Sequence, residues 1–109
     1  MKATILHNPR CSKSRATLAL LHEAGAEVTV VDYLIDPPST AELTRLLSRA
    51  GLSAHDLLRP EAKATLAGAD EAAILHAIAA EPALLERPLV ETGRGVRLCR
   101  PPERVHDIL

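Results

Sequence analysis

Aromatic side chains are almost missing from this sequence: one tyrosine, Tyr33, and neither phenylalanine nor tryptophan in 109 residues. That excludes a core of packed rings and removes the stacking platform on which single-stranded nucleic acid is held. Leu, Ile, Val and Ala must build the interior. Cysteine is scarce too, with only Cys11 and Cys99, too few for a disulfide-stapled scaffold. No apolar run approaches the roughly 20 residues that span a bilayer. The opening MKATIL is interrupted by His7 and Pro9 before it reaches the length of a secretion signal. Thirteen basic against fourteen acidic residues leave a formal charge of −1, so no basic field is available to hold nucleic acid or an anionic membrane surface. A cytoplasmic protein with reduced thiols, and with no nucleic-acid or membrane partner, is expected.

What is present is an ordinary globular balance, 47% hydrophobic and 25% charged, at a length that suits a single domain over residues 1–109. Lys2 to Leu6 reads as a strand that stops at the Asn8-Pro9 turn. A helix follows from about Ser12 to Ala24, with Leu18, Leu21 and Ala24 on one face and Gly25 as its stop. Glu27 to Leu34 is β-branched and nearly all apolar, the pattern of a strand buried on both faces of a parallel pair. After Asp36-Pro37-Pro38, Ser39 and Glu42 are spaced as a capping box for a helix carrying Leu43, Leu46, Leu47 and Ala50. Ser53 and Asp56 start another short helical segment, Glu61 to Gly68 is ambiguous, and Asp70 caps a helix to about Ala80 with Ile74, Leu75 and Ile78 inward. Arg87 to Cys99 reads as a hairpin turning around Gly93, Arg94 and Gly95, and Pro101-Pro102-Glu103 opens a last helical turn or two. The order predicts an α/β fold: a small mixed sheet with flanking helices, its strand–loop–cysteine–helix opening arranged as in thioredoxin-like folds.

Cys11 is the chemically unusual residue, set in HNPRCSKSR among His7, Arg10, Lys13 and Arg15. An inert cysteine is commonly buried among apolar neighbours; this one has cationic neighbours and stands where a helix begins. The unpaired N–H groups and dipole there lower a thiol's pKa and can also cradle an oxyanion. His7, folded back and protonated, would add to the effect, with Asn8, Arg10, Ser12 and Ser14 tuning the site. The sequence has no C-x-x-C, because Ser14 takes the second position, and no C-x5-R phosphatase loop, because Thr17 takes the arginine's place. No metal-ligand spacing surrounds Cys11, so no metal is expected. Arg59, Arg87 and Arg100 each stand where an element ends, and guanidinium groups gathered round a thiolate would bind an oxyanion bidentately. Cys99 reads as a packed strand cysteine. His22, His55, His76 and His106 read as helix-face residues rather than ligands, and Arg15, Arg45, Arg49, Arg94 and Arg104 as surface charges.

The segments HNPRCSKSR, YLIDPPST, LLR, ERPLV and RLCRPPE…DIL together resemble the ArsC family, the glutaredoxin-dependent arsenate reductases and their short relatives, from about Thr4 to Leu109. The resemblance implies a thioredoxin-like fold with a helical insertion and a cis proline at Arg87–Pro88. It implies that Cys11 attacks arsenate, that His7 lowers the cysteine pKa, and that Arg59, Arg87 and Arg100 bind the oxyanion. Glutathione would be co-substrate, glutaredoxin the partner that resolves the mixed disulfide, and no cofactor would be bound. Separately, no exposed apolar stripe is left over once the core is assigned, so a monomer is expected. The segment between Arg59 and Arg87 is shorter and richer in alanine than the family pattern, with Pro60 where a lysine often follows the first arginine. Two other readings stand beside the reductase: a thiol-redox protein acting on a glutathione mixed disulfide or another oxyanion, and a transcriptional regulator resembling Spx. The Spx pattern carries the C-x-x-C that is missing here.

Overall fold

In the computed structural model, which describes residues 1–109, four strands form one mixed sheet in the order β2-β1-β3-β4. The strands are β1 (Lys2–His7), β2 (Glu27–Asp32), β3 (Leu89–Thr92) and β4 (Gly95–Leu98). β1 lies inside the sheet, parallel to β2 with Ile5 opposite Val30, and antiparallel to β3 with Ile5 opposite Val90. The βαβ connection runs through α1 (Ser12–Glu23), and β3 and β4 form the expected hairpin around Gly93-Arg94.

Successive side chains of β1 point to opposite faces, and each face is covered. Ala3 and Ile5 join Leu21 of α1, Val90, Cys99, Val105 and Ile108 in a seven-residue cluster. The last two come from the closing 3-10 segment Pro102–Ile108. Leu6 and Leu89 face the other way, into a fifteen-residue cluster. This larger layer is made by α2 (Thr40–Ala50), a 3-10 turn (Ala54–Leu57), α3 (Pro60–Thr65) and α4 (Glu71–Ala80). It corresponds to the helical insertion that the family resemblance implied. No helix is long and apolar enough to cross a membrane.

Several local expectations need correction. β2 ends at Asp32, and it is an edge strand with Val30 47% exposed, not a strand buried on both faces. Its apolar run continues into a turn in which Tyr33 is buried but Ile35 stands in solvent. α1 buries Ser14, Thr17 and Leu21, while Ala24 is exposed. Its N-terminal half therefore inserts hydroxyls under the sheet, where periodicity in leucine gave no warning. Ser39 does accept from the Glu42 amide at 3.1 Å, but the Glu42 carboxylate turns to Arg45, so the box is half made. The full reciprocal box is at Ser53 and Asp56. The ambiguous segment is helical from Pro60, whose missing N–H costs nothing in a first turn.

Candidate active site

β1 runs out at His7 and the chain turns through Asn8-Pro9-Arg10 before α1 begins. Asn8 makes this turn twice over: its carbonyl accepts from the Cys11 amide and its Oδ1 from the Arg10 amide, each at 3.0 Å. Cys11 is thereby the N-cap residue of α1, in extended conformation and half-buried. Partial burial pushes its thiol pKa up, but the backbone N–H groups of Ser14 and Lys13, the Arg87 charge and the Arg100 side chain outweigh that, and the net shift is downward. The helix start and its unpaired amides are the physical reason.

Arg100 Nη1 lies 3.8 Å from Cys11 Sγ and 3.0 Å from the Arg87 carbonyl, to which it donates. The Arg87 side chain is only 12% exposed, and its Nε is buried with no hydrogen-bond partner. The Arg59 Nε is likewise buried without a hydrogen-bond partner, and a buried unpaired donor costs about 1–3 kcal/mol. Glu86, unassigned from sequence although it sits in the ERPLV segment, stands between the two arginines. Its carboxylate is 3.6 Å from Arg87 and 3.7 Å from Arg100. Both Arg87–Pro88 and Arg100–Pro101 are cis peptide bonds, the second unanticipated.

Arg59 is positioned by a different device. An isolated bridge pairs Leu58 with Leu85, and the Arg59 amide donates to Leu84 while Glu86 donates to Leu57. The segments before Arg59 and before Arg87 are thus stitched together, although nothing in the sequence links them. Arg59 reaches Glu61 at 3.2 Å and lines a cleft of about 550 Å³ with Arg10, Asp32 and Tyr33. Neither Arg87 nor Arg100 lines that cleft. Two of the three arginines therefore meet at the thiol, and the third faces the neighbouring hollow. Tyr33 joins the two parts. Burial raises its pKa, countered by the Asn8 side chain and by the charges of Arg87 and Arg59, with the Cys11 charge adding to the rise.

The expectation of a protonated His7 is not how this site is built. His7 is buried, shares a 2.6 Å hydrogen bond between Nδ1 and Ser14 Oγ, and has its pKa lowered, first by burial. Asp32 opposes the shift and Arg15 adds to it. The same Ser14 hydroxyl accepts from the Asn8 amide at 3.1 Å. His7 and Ser14 brace the turn that carries the thiol. Ser12 is exposed at the start of α1, and Arg10 is exposed at the cleft. Cys99 is fully buried, with its pKa pushed up to about 12 by that burial.

With this geometry in place, comparison with known proteins decides the family. Residues 6–108 match the ArsC family model. The chain belongs to the ArsC family. This ArsC chain is 44% identical to an arsenate reductase of Rhizobium meliloti (strain 1021), over 100% of its own length and 82% of that protein. It is 43% identical to an arsenate reductase of Neisseria meningitidis serogroup A, over 96% of both. Among solved structures, the arsenate reductase of Vibrio cholerae superposes with a TM-score of 0.92 at 40% identity, covering 100% of this chain and 98% of that one. The fold is accordingly the thioredoxin-like ArsC fold.

Proposed function

We propose that this ArsC chain is an arsenate reductase that works through the single nucleophile Cys11, with glutathione as the second thiol and glutaredoxin as the partner that regenerates the enzyme. The observation that carries the reading is Arg100 Nη1 at 3.8 Å from Cys11 Sγ beside an Arg87 whose buried Nε is unpaired. A thiol at a helix start and two guanidinium groups thus act on one place.

The chemistry follows from that arrangement. Arsenate enters against Arg87 and Arg100, and the Cys11 thiolate attacks arsenic, forming an S–As bond as one oxygen leaves as water. A glutathione thiolate then attacks the Cys11 sulfur. The S–As bond breaks, and its electron pair stays on arsenic, which falls from As(V) to As(III) and leaves as arsenite. The two thiols have supplied two electrons and become the Cys11–glutathione disulfide. A glutaredoxin thiolate attacks the glutathione sulfur of that disulfide and frees Cys11. Cys99 takes no part, because a buried thiol with a raised pKa supplies almost no thiolate.

The test is arsenate-dependent NADPH oxidation coupled through glutathione reductase, glutathione and glutaredoxin. Wild type is expected to turn over and Cys11→Ser to be silent, with Cys99→Ser retaining activity. A folded wild-type protein without arsenate-dependent turnover, whose Cys11 is still rapidly alkylated near neutral pH, would overturn the reading in favour of another thiol-redox reaction.

A further inference from the structure

Glu86 carries a carboxylate that the proposed reaction does not use, and its side chain is only 12% exposed. One oxygen lies 3.6 Å from Arg87 Nη1 and the other 3.7 Å from Arg100 Nε. One anion thus spans the two guanidinium groups, each of which faces a separate oxygen. Arg100 is held on two edges at once. Its Nε faces Glu86, while its Nη1 donates to the Arg87 carbonyl at 3.0 Å and lies 3.8 Å from Cys11 Sγ. A planar guanidinium held at both Nε and Nη1 has its orientation set, so the carboxylate decides which edge meets the thiol.

Glu86 is itself anchored. Its amide donates to the Leu57 carbonyl at 2.6 Å, next to the Leu58–Leu85 bridge, and Leu85 is wholly buried. The Arg59 amide donates to Leu84 across the same bridge. On the other side, the Cys99 amide donates to the Pro88 carbonyl at 2.9 Å, tying the chain after Arg87 to the chain before Arg100. Backbone hydrogen bonds therefore join the residues beside all three arginines, and Glu86 stands at the crossing with its side chain turned to two of them. Without an anion between them, two neighbouring cations repel each other. Arg100, with a side chain 30% exposed, is the one with room to swing away.

We propose that Glu86 is the positioning residue of the oxyanion seat, holding Arg87 and Arg100 so that both act on Cys11 and on the anion that reaches it. The inference rests on the reductase reading for the identity of the anion, and on the geometry for the effect on the thiol. Glu86 acts through the arginines and takes no part in bond making. The sign of its effect separates this role from a simple charge. Cys11 is faced by the Ser14 and Lys13 amides and by Arg87 and Arg100, and its own charge reaches Tyr33. By charge alone, removing a nearby anion favours the thiolate and lowers the pH at which the thiol titrates. Removing the group that holds the arginines takes away their influence and raises that pH.

The deciding experiment measures the pH at which iodoacetamide alkylation of Cys11 is half-maximal in Glu86→Gln, which keeps the shape and loses the charge. An upward shift of about 0.3–1 pH unit is expected, the size of a coupling between neighbouring groups. In an Arg100→Gln background the same substitution should move that pH much less, because the guanidinium it holds is gone. The arsenate concentration that halves the alkylation rate, read without glutathione so that nothing turns over, should rise about threefold to tenfold. An unchanged pH, a downward shift, an equal shift with and without Arg100, or arsenate protection as good as that of wild type would overturn the assignment. Should Glu86→Gln not fold, Glu86→Asp is read instead. Its shorter reach should give a smaller upward shift, and a half-maximal pH at or below that of wild type overturns the assignment. The alkylation readout needs no arsenate. An upward shift with no arsenate protection even in wild type removes the reductase reading alone, and wild-type protection without the shift removes the role of Glu86 alone.

Discussion

Arg100 donates toward the Cys11 sulfur and to the Arg87 carbonyl from just before the last helical segment, so replacing it removes one influence on the thiol together with that carbonyl contact. In Arg100→Gln the pH at which iodoacetamide alkylation of Cys11 is half-maximal should move upward, because one of the influences holding that pKa down is gone. In the proposed reaction the KM for arsenate should rise about tenfold to a hundredfold, the range for a hydrogen bond to a charged group. Peptide mapping after alkylation should find label on Cys11 and none on Cys99 until the protein is unfolded. At this scale the sequence was most readable where chemistry is local. A cysteine between a turn and a helix start carries its own explanation, and the arginines at element ends could be picked out by position. The state of His7 could not, since it depends on burial and on a serine seven residues away. Asp32 and Glu86 were passed over for a similar reason: an isolated carboxylate declares nothing until its neighbours are placed.

Helix α2 is fastened to β3 by charge. Glu91 receives Arg45 through both oxygens, at 2.7 and 2.8 Å, and Arg49 as well, and the Arg45 hydrogen bond leads in lowering its pKa to about 2. A carboxyl group held below its unfolded value of 4.5 contributes stability that is complete above that value and is lost as pH falls toward about 2. The urea midpoint of wild type should therefore drop on acidification across that window, and the drop should be smaller in Glu91→Gln, which starts from a lower midpoint. Elements themselves were recovered from periodicity and caps. Asp70 accepts from Ala73 at 2.8 Å as its position required. β2 was misjudged because strand burial depends on how many neighbours the sheet supplies, and an apolar run such as Val28, Val30 and Val31 is the same on an edge as in the middle.

The whole molecule is asymmetric about its sheet, with fifteen buried residues in one cluster and seven in the other. Ile78 is wholly buried in the larger cluster. Ile78→Ala should cost about 2–5 kcal/mol, by lost burial and the cavity left behind, measurable as a fall in the urea midpoint with unchanged slope. The sheet order could not be read from the sequence. The pairing of β1 with β3 joins Ala3 to Thr92, a contact between distant segments that carries no local signature.

That distance has a consequence for the protein as it is made. Cys11 leaves the ribosome early, whereas Arg100, which touches its sulfur, lies 89 residues further along. At translation speeds of about 5–20 residues per second, seconds pass in which the thiol exists without the two arginines that lower its pKa. The bond that closes the sheet, β1 to β3, waits for the same late segment. During synthesis Cys11 has the amides of Ser14 and Lys13 at the start of α1 but not yet Arg87 and Arg100, so the lowering of its pKa is completed only with the chain. The electrostatic setting of this sulfur is in this way timed by topology, the segments that flank the β3–β4 hairpin being the ones that complete it.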